Sequence, residues 1–284
     1  MAENKPTTEE HYIPQFYLKN FSQDGKRIYQ YDVITGCQTS APVAIRKICF
    51  EKNLYEFKDA SGEFINRNLI ERWLSIYEGE FAKVFRSIQS KAKVESNYIT
   101  RCFLSQKEKA FLIFFLSTLI VRDPEILQAA QDLAMDFFGN QVNEISARNI
   151  ALQMCLPIYN KIDIEDKNLL NEVMRRFEDM TFLIGVTDSD DIITSDSPVM
   201  LKSDIPNIFK YDEVMLPLSS NLVLYMFPCE AMPHNRYNRL FKLKQEDIEY
   251  INKVVASRCK RWIYSKSPLT EKQIESISIG RSKV

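Results

Sequence analysis

Few side chains in this chain are equipped for chemistry, and their positions narrow what that chemistry can be. Histidine occurs only at His11 and His234, so an H-E-x-x-H zinc helix and a three-histidine centre are excluded. His11 opens His11-Tyr-Ile-Pro14, where proline fixes the local backbone. An imidazole that titrates near neutrality serves as acid, base or metal ligand; the plainer reading is a hydrogen-bonded surface residue. Glu78 falls four residues after Leu74 and three before Phe81, which puts it on the apolar stripe of an expected helix. A carboxylate drawn out of water must be protonated, paired or metal-bound. Arg122 follows the most apolar run of the chain and cannot shed its proton. It either meets an internal anion, for which Glu78 is the candidate, or offers its fork to a phosphate or carboxylate ligand. Asp196, within Thr194-Ser-Asp-Ser-Pro198, follows a strand-like stretch. There a carboxylate holds a metal or substrate, or simply makes a turn. His234 to Lys244 interleaves basic and aromatic residues, a pattern that stacks on nucleic acid or forms a solvated face.

The absences are as informative. Only seven glycines are present, and none are spaced as a G-x-G-x-x-G, a P-loop or a G-x-S-x-G; no nucleotide-cofactor motif and no nucleophile elbow remain available. The six cysteines form no C-x-x-C pair and read as reduced, mostly buried thiols. With 37 Lys+Arg against 38 Asp+Glu, no global attraction to nucleic acid or an anionic membrane is expected, so any such binding is local. A hydrophobic content of 45% supplies enough apolar surface for a folded core. Met1 to Glu10 is polar, with no apolar stretch. It does not read as a secretory signal, and a cytoplasmic protein is expected. The run Ala110 to Val121 falls short of the ~20 residues that span a bilayer and reads as a buried helix.

These residues need elements to position them. After the polar arm 1–10, residues 11–62 read as a small β-rich part: Arg27 to Thr35 as a strand, Asn53 to Phe57 as another β-like piece, and a short helix near Val43 to Ile48. From Phe64, apolar residues at 70, 74, 77, 81, 84 and 88 recur at steps of three and four, the period of an amphipathic helix. Ser105-Gln-Lys-Glu108 is a capping box before the apolar run, and Asp123-Pro124 marks the next helix start. Further helices are expected around 142–155 and 165–179, completing a helical part over 63–180. Residues 181–265 then return to strands, with a helix over Gln245 to Ser257 and a last strand at Arg261 to Ser265; 266–284 reads as a tail. A β-rich start, a helical middle and a β-rich end predict an α+β fold over 1–284 as a single domain.

Taken together, His11-Tyr-Ile-Pro-Gln-Phe-Tyr-Leu-Lys-Asn-Phe21, Ile76-Tyr-Glu-Gly-Glu80, Arg122, Thr194-Ser-Asp-Ser-Pro198 and Pro217-Leu-Ser219 resemble the DUF4238 family, a group of bacterial proteins of unknown function. The resemblance runs from about residue 10 to 265. Asn252 and Arg261-Trp-Ile-Tyr264 fit it as well, whereas Ser197 stands where Asn is expected. No activity comes with the family. The resemblance implies that His11, Gln15, Glu78, Arg122 and Asp196 are the marked polar positions, and that they form one site. Their chemistry suits a hydrolase acting on a phosphodiester or nucleotide. His11 would be base or ligand; His11, Glu78 and Asp196 would hold Mg²⁺ or Mn²⁺; Arg122 would steady developing negative charge. A bacterial defence effector fits by association. Two alternatives stay open: a non-catalytic module for a small phosphorylated ligand or nucleic acid, and a structural polar network. Substrate and oligomeric state are not readable from the sequence.

Overall fold

The computed structural model describes residues 7–95, 102–156, 168–202 and 213–281; Pro157, expected between two helices, lies outside them. The fold is α+β. The chain forms two compact units, each assembled from separated stretches: Met1–Ile13, Cys49–Phe81 and Leu112–Glu178 make the first, and Pro14–Ile48, Ala82–Phe111 and Asp179–Val284 the second.

In the first unit, Glu9–His11 pairs antiparallel with Phe50–Lys52, with His11 opposite Phe50. Phe57–Lys58 and Phe64–Ile65 make a small hairpin. Its loop is closed by Asp59, whose carboxylate accepts from the Ser61 and Glu63 amides at 2.9 and 3.0 Å. The long helix therefore begins at Leu69 and not near Phe64. Phe64 and Ile65 are taken by the hairpin, and Asn66 and Asn68 adopt φ of 50° and 59°, a left-handed conformation that asparagine tolerates and a helix does not. From there Ile70, Leu74 and Phe81 are buried as the spacing predicts, together with Trp73. Rings from the two helices meet edge-on, Tyr77 with Phe114 at 4.8 Å and Phe81 with Phe115 at 5.2 Å, the geometry that aromatic quadrupoles favour. From Phe114 to Leu119 the apolar helix is buried on every face, which explains its lack of alternation. It stops where expected: Asp123 accepts from the Glu125 amide at 2.9 Å, and Pro124 opens the next helix, Pro124–Phe138. Glu144–Cys155 and Leu169–Glu178 complete the unit.

The second unit is built on two sheets. The larger has the order Met200–Lys202, Glu213–Ser219, Leu222–Pro228, Met180–Val186, Arg239–Lys242. All its pairs are antiparallel except the last, where Arg239–Lys242 runs parallel to Met180–Val186. The basic stretch expected as a solvated face is thus partly an edge strand, with Leu240 buried. The smaller sheet has the order Cys37–Gln38, Arg27–Asp32, Trp262–Ser265, Thr194–Ser195. The capping box forms: the Glu108 amide donates to Ser105 Oγ at 3.2 Å, and the Ser105 amide to Glu108 Oε2 at 2.8 Å. Gln245–Arg258 packs its buried Ile248, Ile251 and Val255 into the core with Ile193, Met215, Val223 and Ile263. The stretch read as a tail carries a further helix, Glu271–Arg281, in contact with Gln245–Arg258. Among the described residues, no helix is long and apolar enough to cross a membrane.

Gly185 marks the tightest packing in the larger sheet. A Cβ there would lie 2.7 Å from a Leu243 methyl and 2.9 Å from a Val223 methyl, closer than side chains in a dense core allow. Gly185→Ala is therefore expected to destabilise the protein by about 1–3 kcal/mol through overpacking. The check is urea denaturation, where the midpoint should fall while the slope is retained.

Candidate functional site

Arg122 organises the polar centre of the first unit. Its side chain is almost wholly buried, and each nitrogen of its fork is engaged. Nη1 donates to Glu78 Oε1 at 2.9 Å, Nη2 to the His11 carbonyl, and Nε to the Tyr55 hydroxyl at 3.3 Å. The Tyr55 hydroxyl directs its own proton at the carbonyls of Arg122 and His11, at 3.3 and 3.5 Å. Burial works against the charge on Arg122; the pull of Tyr55 and Glu78 outweighs it, and the pKa is raised. The expected pairing of Glu78 with Arg122 is present. Glu78 keeps 28% of its side-chain surface exposed against 2% for Arg122, so within the pair only the carboxylate reaches solvent.

His11 enters this network through its main chain. The imidazole is buried and tilts against the Phe50 ring at 5.6 Å. Next to it, Glu10 is fully buried, and its Oε2 accepts from the Tyr55 amide at 2.7 Å. Burial pushes its carboxyl up from 4.5 to about 7; the Tyr55 amide opposes the shift, and the nearby charges of Glu56 and Glu71 add to it. Glu71 is raised as well, by burial first. Glu10 Oε1, Glu56 Oε2 and Glu71 Oε2 are buried with no hydrogen-bond donor among the described residues. A proton on Glu10 relieves part of this crowding.

Gln15 and Asp196 belong to the second unit. Gln15 begins the short helix Gln15–Leu18 after Pro14 and lines a cleft with Arg27 and Arg46. Asp196 is buried and holds three main-chain donors: the Lys260 amide on Oδ1 at 2.9 Å, and the Arg261 and Trp262 amides on Oδ2 at 2.8 and 2.9 Å. Burial raises its pKa against the pull of those donors. The carboxylate thereby fixes the turn that leads into Trp262–Ser265. Asn252 also binds main chain, accepting from the Ile193 amide at 3.1 Å and donating to the Asp191 carbonyl at 2.8 Å. Among the described residues, no group of three or more His, Cys, Asp or Glu side chains is placed to hold a metal ion; His11, Glu78 and Asp196 make no such triad.

Three residues that the sequence did not single out matter as much as those it did. Tyr55 and Glu10 complete the Arg122 network. In the second unit the buried Tyr17 hydroxyl donates to the Pro217 carbonyl at 2.7 Å and lies 2.8 Å from Thr194 Oγ1, tying together three of the marked segments. For Tyr17 and Tyr55 the residue type itself is the signal: a buried phenol requires a partner.

The sequence matches the family described as "Protein of unknown function (DUF4238)" over residues 9–268, and the chain belongs to that family. No curated protein and no solved structure matches it.

Two outcomes follow from this centre. The folded state binds the Glu10 proton more tightly than the unfolded chain, so this group favours the fold below pH 4.5 and progressively loses that contribution as pH rises to about 7. The loss amounts to about 3 kcal/mol. Glu10→Gln should flatten this part of the stability profile, read as the difference from wild type across pH 4–8. Glu78→Ala strands a buried cation and is expected to cost about 3–5 kcal/mol; adding Arg122→Met, which removes the cation, should recover part of that loss in the same denaturation assay.

Proposed function

We propose that the first unit carries an acid–base centre of a hydrolase, in which Glu78 and the His11 imidazole act and Arg122 positions them, and that its substrate is a phosphodiester or nucleotide. One observation supports this reading above the others: a single guanidinium holds both the His11 main chain and the Glu78 carboxylate, while Glu78 alone of the pair keeps access to water. Positioned carboxylates and imidazoles contribute about 10²–10⁴-fold to proton transfers at a reacting group. Arg122, with every fork nitrogen occupied, orients and does not bind substrate. Mg²⁺ or Mn²⁺ would find two of the expected ligands, His11 and Glu78, in this unit.

The test is turnover of a panel of nucleotides, cyclic nucleotides and single- and double-stranded nucleic acids by the full chain, with and without Mn²⁺. His11→Ala removes the imidazole and leaves the carbonyl that Arg122 grips, so the expected result is a loss of about 100-fold or more in kcat, measured below the variant's melting temperature, which falls because a buried ring is lost. Glu78→Gln, which keeps an acceptor oxygen for Arg122, should lose activity comparably. Equal turnover in all three proteins, or none in wild type across the panel, removes the reading.

A structural network is the second reading, favoured by the sealing of Arg122 and by the three main-chain donors on Asp196. Under it, substitutions at these positions change stability and nothing else.

A further inference from the structure

Gln15 and Lys19, both from the marked segment 11–21, line a cleft of about 550 Å³ in the second unit. Three stretches of chain build it: the end of the first motif, the turn Asp24 to Arg27, and Ala44 to Arg46. The last two are joined by main-chain pairing, with Arg27 opposite Ala44 and the Ile45 amide donating to the Lys26 carbonyl at 2.9 Å. Lys26, Arg27 and Arg46 are thereby carried to one opening.

Four cations, Lys19, Lys26, Arg27 and Arg46, line this cleft against a single acid, Asp24. In a chain whose 37 Lys+Arg nearly balance 38 Asp+Glu, that is a marked local excess of positive charge. Asp24 is moreover consumed by its own turn. Its Oδ1 accepts from the Lys26 and Arg27 amides, each at 2.8 Å, and its Oδ2 from Arg27 Nε at 3.0 Å. Among the described residues, Lys19, Lys26 and Arg46 have no acidic partner, and the Gln15 side-chain amide makes no hydrogen bond. All four cations are exposed, so their charge reaches solvent and draws an anion in.

The rest of the lining says which anion. A lone small anion is held by converging donors fixed in advance, whereas Lys19, Lys26 and Arg46 are exposed and held by nothing. Several such cations around one opening suit an anion of many charges, whose counterions they release. Among the described residues, no aromatic ring lines the cleft, so single-stranded bases find nothing to stack on. A duplex keeps its bases stacked internally and presents phosphates, which basic side chains bind without reading sequence. Ile45 is buried, and no exposed large apolar side chain lines the cleft to enter a membrane between its headgroups.

We propose that this cleft is a docking site for duplex nucleic acid, gripped through its phosphate backbone by Lys19, Lys26, Arg27 and Arg46, with the Gln15 amide as a neutral donor. The site is independent of the proposed hydrolytic centre.

The experiment is fluorescence anisotropy of short labelled DNA duplexes of two unrelated sequences, titrated with the full chain without divalent ions from about 50 to 200 mM salt. Equal binding of the two sequences, falling with salt along a log–log slope of about −3 to −4, as three or four phosphate contacts require, is the expected result. Lys26→Gln and Arg46→Gln, both at exposed positions, should each weaken binding about threefold or more and flatten the slope by about 1. Lys253→Gln, at an exposed position outside the cleft, should do neither. Glu78→Gln should bind as wild type does, so failure of this site and failure of the hydrolytic centre are read apart. The proposal is overturned if the duplexes do not bind, if the slope is flat, or if Lys26→Gln and Arg46→Gln have no more effect than Lys253→Gln. It is equally overturned if a single strand or phosphatidylserine vesicles bind as tightly, or if millimolar inorganic phosphate at constant ionic strength displaces the duplex.

Discussion

A guanidinium cannot be neutralised inside a protein, and everything around Arg122 answers that constraint. Its charge arrives at the end of a helix so apolar that every face is covered, and it must therefore find acceptors at once. Three come from separate parts of the chain: a carboxylate from the long helix, a carbonyl from the first strand, and a phenol from the turn after the second. Each acceptor is fixed because the cation is fixed. The network is a means of placing segments, at a desolvation cost that only complete hydrogen bonding can offset.

The second unit solves a similar problem with opposite charge. Asp196 is buried and receives three amides, while Tyr17 secures Pro217 and Thr194 by its hydroxyl. In the second unit the polar residues that stand out in the sequence, Asp196 and Asn252, bind main chain, whereas Arg122 in the first binds two side chains and one carbonyl.

Local signals were readable. The capping box at Ser105, the Asp123-Pro124 helix start and the helix over 245–258 depend on neighbours a few residues away, and they form as the spacing predicts. Glu78 is legible as a candidate partner of Arg122, because an acid on the apolar stripe and a cation after the apolar helix each need one; that the pair forms is visible only in the fold. Other features depend on distant chain. The long helix starts late because Phe64 and Ile65 pair with Phe57 and Lys58, and the basic stretch becomes an edge strand because Met180–Val186 offers it a parallel partner. Glu10 looked like part of a solvated arm; only its pairing with the 50–52 strand turns it inward, away from Glu9. Tyr55 bonds across 67 residues to Arg122, and no short-range pattern encodes that reach.

The Asp196 clamp bears on how such a protein drifts over generations. Because it grips backbone amides, it leaves the identities at 260 and 262 unconstrained as far as that grip is concerned, and proline alone, lacking the N–H, is barred. Diverged relatives could replace those neighbours freely while keeping one acid, so a lone aspartate before a proline would be the surviving trace of a shared architecture.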